Sequence, residues 1–338
     1  MSQDPSAPRS TPLASGATQE VGEAVGALRG APAGHAAKAS GGLNGATVLA
    51  GDPALQLEQL LSLPAGRRIE PLTHFAEALA AAGPGHEATR SAAAEALLEL
   101  INGYAGNARQ RLSLGVALSR LGDPRLNRPA DPDYWVTVTT DEGAVLQVGR
   151  FLVTNSELRA WFLAGGADDD ANWSEEGLAW RDSGPPNWLA LASDPAVRHL
   201  VEDNQPAAGP SWWEAEAYAR ASGARLPTVD EYRAVVRGLE KRPYPWGSPF
   251  GDGNANTREE ALGQPCAVGL YLTDRTPEGV CDLAGNMGHW LADDSGSRRM
   301  LHPGSWARPS MAAWAKALEM ADPDTRSADM SFRLVRGG

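Results

Sequence analysis

All eleven tryptophans of this 338-residue chain lie at or after Trp135, whereas residues 1–133 hold only Phe75 and Tyr104 as aromatics. Large aromatic side chains dominate the cores they enter, so the chain reads as two compositional halves. One is rich in Ala and Leu, the other in Trp, Gly and Pro. The length allows two or three domains, and 42% hydrophobic residues suffice for a sizeable core.

Residues 1–48 are rich in Ser, Pro, Gly, Ala and Thr with no sustained apolar periodicity. Such a segment buries too little to offset its backbone entropy, and a disordered lead is expected. Residues 49–125 switch to helical patterning. An apolar face of Leu55, Leu57, Leu60, Leu61 and Leu63 stops near Pro64-Ala65-Gly66. Further helices are predicted over Glu70–Ala82, Glu87–Ile101 and Ala108–Leu121, broken at Gly83-Pro84-Gly85 and Gly122-Asp123-Pro124. These lengths suit short antiparallel helices packed as a cap. The phrase Leu121-Gly122-Asp123-Pro124-Arg125 is similar to junctions that precede C-terminal domains in bacterial signalling and conflict proteins.

A second unit is expected over 133–338. Tyr134–Val138 and Ala144–Val148 read as a hairpin turning at Asp141-Glu142-Gly143. A helix over Ser156–Leu163 is expected with Asn155 as its N-cap, and another over Ser211–Ala221. Thr228 followed by Glu231 forms a capping box for a helix to Leu239. Beyond Tyr244 the chain turns often and shows little periodicity.

This half also carries seven blocks in order: Asn204-Gln205-Pro206, Ser211-Trp212-Trp213-Glu214-Ala215, Arg225-Leu226-Pro227-Thr228, Tyr244-Pro245-Trp246-Gly247, Asp282-Leu283-Ala284-Gly285-Asn286, Gly304-Ser305-Trp306 and Phe332-Arg333. The series resembles the formylglycine-generating-enzyme (sulfatase-modifying factor) family. It implies an α+β fold with a C-type-lectin-like domain, here preceded by the helical segment. Members that oxidise cysteine use a copper-binding thiol pair just after the Gly-Ser-Trp block. At those positions stand Arg308 and Ala313. Arginine has no lone pair for a cation and alanine has no ligand atom, so no copper is expected. The resemblance also implies a structural calcium with ligands Asp282, Gly285, Met287 and His289, and a second beginning at Asn256. His289 replaces the closing Glu, and a hard cation prefers oxygen, so any calcium held there is weak. A related sulfoxide-synthase branch adds an iron-binding helical bundle with clustered histidines. Only His74 and His86 lie in the helical segment, without metal-ligand spacing.

The expected role is therefore a non-catalytic binding module. Its former active-site face, around Ser305, Trp306, Arg308, Trp314 and His289, would take a protein or small ligand, and the helices would offer a second protein partner a surface. One alternative is an oxidoreductase holding a metal through His289, His302 and Asp282. Another is a receptor diversified by a retroelement over Ala307–Met330. Met311, Trp314, Lys316, Glu319 and Met320 argue against the latter, because changes confined to the adenines of Asn codons cannot produce them. The net charge of −12 and the lack of any run of Lys or Arg longer than a pair argue against nucleic acid. No apolar run approaches the ~20 residues of a membrane helix. Cys266 and Cys281 are the only cysteines, so no disulfide framework organises the fold. They read as small buried thiols. With no secretory signal visible in Met1–Gly42, a cytoplasmic protein is expected.

Overall fold

The computed structural model describes Leu49 and residues 51–104 and 106–337. The expected disordered lead over 1–48 lies outside the described residues.

Four helices open the described chain: α1 (Pro53–Leu61), α2 (Ala65–Ala81), α3 (Glu87–Asn102) and α4 (Ala108–Leu121). α2 begins five residues before the expected Glu70. Pro64 serves as its N-cap, and Pro71 is carried inside the helix. The Arg68 guanidinium donates to the carbonyls of Leu61 and Leu63, tying the start of α2 to the end of α1. α4 starts at a full capping box, in which Asn107 and Gln110 each satisfy the other's backbone amide.

The helices are not a free-standing unit. Their apolar faces form one cluster with Leu262, Cys266, Leu270 and Tyr271 of a distant loop. The buried Arg111 side chain lies over the Tyr104 ring at 4.0 Å and near the Tyr271 ring at 5.6 Å. Asn204 donates to the Gly115 carbonyl at 3.0 Å and to Asp123 at 3.0 Å. A side chain at Gly115 would come within 2.9 Å of the Ala267 methyl, so glycine there permits the close approach.

The second half holds two sheets. β1 (Trp135–Thr139), β2 (Val145–Gly149) and the final strand β7 (Val335–Gly337) form an antiparallel three-stranded sheet. β3 (Gly288–Ser295), β4 (Arg298–His302), β5 (Glu319–Ala321) and β6 (Met330–Phe332) form the second, in the order β5-β4-β3-β6. Its β3–β6 pairing is parallel. Helices α5 (Asn155–Leu163), α6 (Glu175–Asp182), α7 (Trp188–Ala192), α8 (Trp212–Ala221) and α9 (Val229–Arg237) pack around them. The class is α+β, as the sequence predicts.

Three of these helices start with reciprocal Ser/Thr–Glu capping boxes, at Thr154–Glu157, Ser211–Glu214 and Thr228–Glu231. The first corrects an expectation: the N-cap of α5 is Thr154. Asn155 is instead fully buried, and its amide donates to the carbonyls of Glu202, Gln205 and Pro206. It thereby anchors the Asn204-Gln205-Pro206 block. The segment 167–206 adds Trp173, Trp188, Leu191, Val197 and Leu200 to the buried interior. Trp188 is fully buried and stacks on Phe162. The buried Glu214 carboxylate receives the Trp188 amide at 2.7 Å and a bidentate Arg326 at 2.7 and 2.9 Å.

Candidate functional site

Two glycines bring two of the sequence blocks and the Asn256 segment together. A Cβ at Gly304 would sit 2.3 Å from the Ala284 carbonyl oxygen, and one at Gly285 would sit 2.8 Å from that of Asn256. Only glycine allows those backbones to touch. The Gly-Ser-Trp segment is thus laid directly on the 282–289 loop, with Trp306 N–H donating to the Asn286 carbonyl at 3.1 Å.

Within that loop the polar groups close on one another. The Asp274 carboxylate accepts amides from Leu283, Ala284 and Gly285 at 2.9 to 3.2 Å. Asp282 accepts the Gly269 amide at 2.6 Å. Burial, followed for Asp274 by the neighbouring Asp282 charge, pushes these acids up to about 7 and about 6 respectively. The fully buried Arg333 guanidinium donates to the carbonyls of Gly149, Arg150, Cys281 and Asp282. His289 Nε2 donates to the same Asp282 carbonyl at 3.0 Å.

These contacts bear on how the loop would receive calcium. The Asp282 side chain, which the resemblance would turn toward a cation, accepts the Gly269 amide through Oδ2, and its carbonyl faces two N–H donors. The Gly285 carbonyl accepts the Met287 amide. Met287 itself is fully buried in an apolar cluster. His289 supplies an imidazole in place of a carboxylate, and burial together with Arg333 holds its pKa well below the ordinary histidine value. Among the side-chain atoms of the loop, Asp282 Oδ1 and His289 Nδ1 are left without a partner, one oxygen and one nitrogen where calcium takes 6–8 oxygens. Asn256 fares little better: its carbonyl accepts the Asn286 amide and its Nδ2 donates to Gln264, leaving Oδ1 alone. The side chains of neither loop supply the set of oxygens that calcium takes. Among the described residues no three His, Cys, Asp or Glu side chains converge as metal ligands.

His289 and His302 sit opposite one another in the β3–β4 register, with ring centroids 6.2 Å apart and Tyr232 beside both. Both are fully buried. His302 Nε2 donates to the Trp314 carbonyl at 3.1 Å while Nδ1 accepts the Gly304 amide at 3.3 Å. That pattern fixes a neutral tautomer, and burial pushes the pKa down to about 4. His289 therefore belongs to the interior and cannot meet a ligand on the outer face. Trp306, in the apolar cluster with Leu152 and Met287, is also interior.

The two positions that the resemblance assigns to copper serve packing and pairing here. Ala313 is buried with Ala255 and Ala284, beside the stacked Tyr244 and Trp246. Arg308 is about half exposed and reaches Glu319 at 3.2 Å and Asp329 Oδ2 at 3.5 Å. Ser305 is buried beneath it and donates to the same Asp329 oxygen at 2.9 Å. Ser327 also donates to Asp329. Asp329 is invisible to sequence reasoning, because nothing local marks an acid whose partners lie 21 and 24 residues away. Of the five candidate face residues, Arg308 and Trp314 reach the surface, joined by the exposed Met311 and Met320. Cys266 and Cys281 are buried free thiols away from this cluster, both pushed up in pKa by burial, Cys281 to about 12.

Residues 136–337 match the Sulfatase-modifying factor enzyme 1-like domain. Hercynine oxygenase of Mycolicibacterium smegmatis is 30% identical over 210 residues, covering 50% of this chain and 49% of that protein. The formylglycine-generating enzyme of Streptomyces coelicolor is 30% identical over 149 residues, 40% of this chain and 42% of that one. The inactive C-alpha-formylglycine-generating enzyme 2 of Bos taurus is 27% identical over 146 residues, 38% and 48%. The chain spans about half the length of the curated relatives it matches. Among solved structures, PvdO from Pseudomonas aeruginosa aligns with a TM-score of 0.45 at 19% identity, over 58% of this chain and 82% of that one. With the family domain matched across more than half its length, this chain belongs to the sulfatase-modifying factor family.

Proposed function

We propose that this chain is a non-catalytic binding module, using the surface around Arg308 and Trp314 to hold a protein or small ligand. The observation that carries the reading is the fate of the two copper-ligand positions. One is a guanidinium engaged by Asp329 and Glu319, the other a methyl packed against Ala255 and Ala284. Neither offers an electron pair to a soft metal. What the face does offer is an aromatic ring and a charged fork at the surface, the residue types enriched in recognition hot spots. The docked helices present their outer side to a second protein partner, consistent with a place in a bacterial signalling or conflict assembly. Titration of the full chain with Cu(I), followed by incubation with a cysteine-containing peptide, tests this. One bound equivalent together with oxidised peptide thiol would sink it. Pull-downs with the full chain and with an Arg308→Ala, Trp314→Ala variant test the face, and equal partner recovery would count against its use.

A metal-dependent oxidoreductase is the second reading, favoured by the hercynine oxygenase relatives. It would need His289, His302 and Asp282 to exchange their present hydrogen bonds for a metal. Metal analysis of untagged protein separates the two, since a tightly held transition metal at unit stoichiometry favours the enzyme.

A further inference from the structure

A cavity of about 660 Å³ opens between α9, the β1–β2 turn and the loop carrying Lys316. Ser305, Arg308, Trp314 and Asp329 do not line it, although the Lys316 ammonium lies 5.7 Å from the Trp314 ring at its edge. Leu146 and Ala234 give it an apolar floor, and its charges are balanced. Arg233, Arg237, Lys241 and Lys316 face Asp141, Glu142, Asp230 and Glu231.

The balance is not achieved by internal pairing. Glu231 is held by both arms of Arg225 at 2.6 Å, and Arg233 approaches Asp230 at 4.0 Å. Arg237, Lys241 and Lys316 have no carboxylate partner among the described residues, and Asp141 and Glu142 have no basic one. The free cations come from the end of α9 and the loops beside it, and the free acids from the hairpin turn across the cavity. A purely anionic molecule would gain from the first set and be repelled by the second. A molecule with an anionic and a cationic end satisfies both. A sphere of 660 Å³ is roughly 11 Å across, about the reach of three extended residues.

We infer that this cavity binds a short zwitterionic peptide, with its carboxylate against Arg237, Lys241 and Lys316 and its ammonium against Asp141 and Glu142. The inference goes beyond the binding face proposed above and does not depend on it. The charges are open to water, so each contact is modest and the affinity is on the order of millimolar.

The test is an NMR titration of the full chain with tri-alanine, its N-acetyl form and its C-terminal amide. Tri-alanine should bind tightest, each blocked peptide roughly threefold to tenfold weaker. An Asp141→Asn, Glu142→Gln variant should lose the penalty for acetylation and keep that for amidation. An Arg237→Gln, Lys241→Gln variant should do the reverse. Arg308→Ala should leave all three titrations unchanged, which separates this site from the proposed face. N-acetyl-tri-alanine binding as well as tri-alanine would show a plain anion site and overturn the inference. So would the absence of any saturable shift up to about 10 mM peptide.

Discussion

Two loops meet where Ala313 packs on Ala284, and they are built in opposite ways. The 282–289 loop lies inside: nearly all of its hydrogen-bonding groups find partners within the chain, through Asp274, Arg333 and His289. The 307–320 loop lies outside. It anchors through Ala313 and exposes Met311, Trp314 and Met320. Where a buried polar group would otherwise lack a partner, the cost of leaving it so forces an internal substitute. Where water supplies the partner, nothing forces closure and the surface is free to serve recognition.

The contrast can be broken most sharply at Arg333. Arg333→Met removes the buried donor shared by four carbonyls, of which those of Asp282 and Arg150 keep His289 and the Cys281 amide, and should cost about 3–5 kcal/mol, read by denaturant unfolding. A loss below about 1 kcal/mol would mean that water reaches the loop and that it is not closed.

His302 gives the next largest effect, through pH. Its folded pKa of about 4 lies below the ordinary value of 6.5. The stability it contributes is therefore complete above pH 6.5 and is lost as pH falls through 4, a change of about 3 kcal/mol. Asp274 and Asp282, raised by burial, slope the other way in an overlapping range. The comparison that isolates the imidazole is wild type against His302→Gln, and the variant should show a smaller acid-side loss. Parallel curves would place the ring in contact with solvent.

His289→Glu sharpens the same contrast through calcium. Wild-type Tm should be indifferent to a chelator or to added calcium. The variant should lose about 1–3 kcal/mol in chelator, because a carboxylate replaces the donor to the Asp282 carbonyl, and recover part of it with calcium. A chelator that lowers the wild-type Tm would refute the closed-loop account.

Smallest is the outer loop. Arg308→Ala with Trp314→Ala should change stability by no more than about 1 kcal/mol, since both side chains are about half exposed and the buried Asp329 keeps Ser305 and Ser327 as donors. A larger loss in thermal unfolding would make the loop structural.

Much of this fold is legible from sequence because its signals are local. The capping box at Thr228 and Glu231 and the hairpin turn at Asp141–Gly143 are set by residues within a few positions of one another. The same Thr-x-x-Glu signal stands at Thr154 and Glu157, but the neighbouring Asn155 is an equally good N-cap residue type and draws the assignment to itself. Its true role, collecting carbonyls some fifty residues away, has no local trace. The site is harder. Loss of the thiols is plain at Arg308 and Ala313, but burial of His289 and His302 depends on which way each strand faces. The apolar neighbours Met287, Trp290, Leu291 and Leu301 are the available hint. The partners of Asp329 and Arg333 come together only through the fold.

The shared cluster of Leu262, Cys266, Leu270 and Tyr271 with the opening helices bears on how this protein can be handled. A fragment trimmed to the family domain would carry an oily, torn face and should aggregate. The boundary of the recognised family is therefore not a boundary of the packed core, which takes in the helices as well.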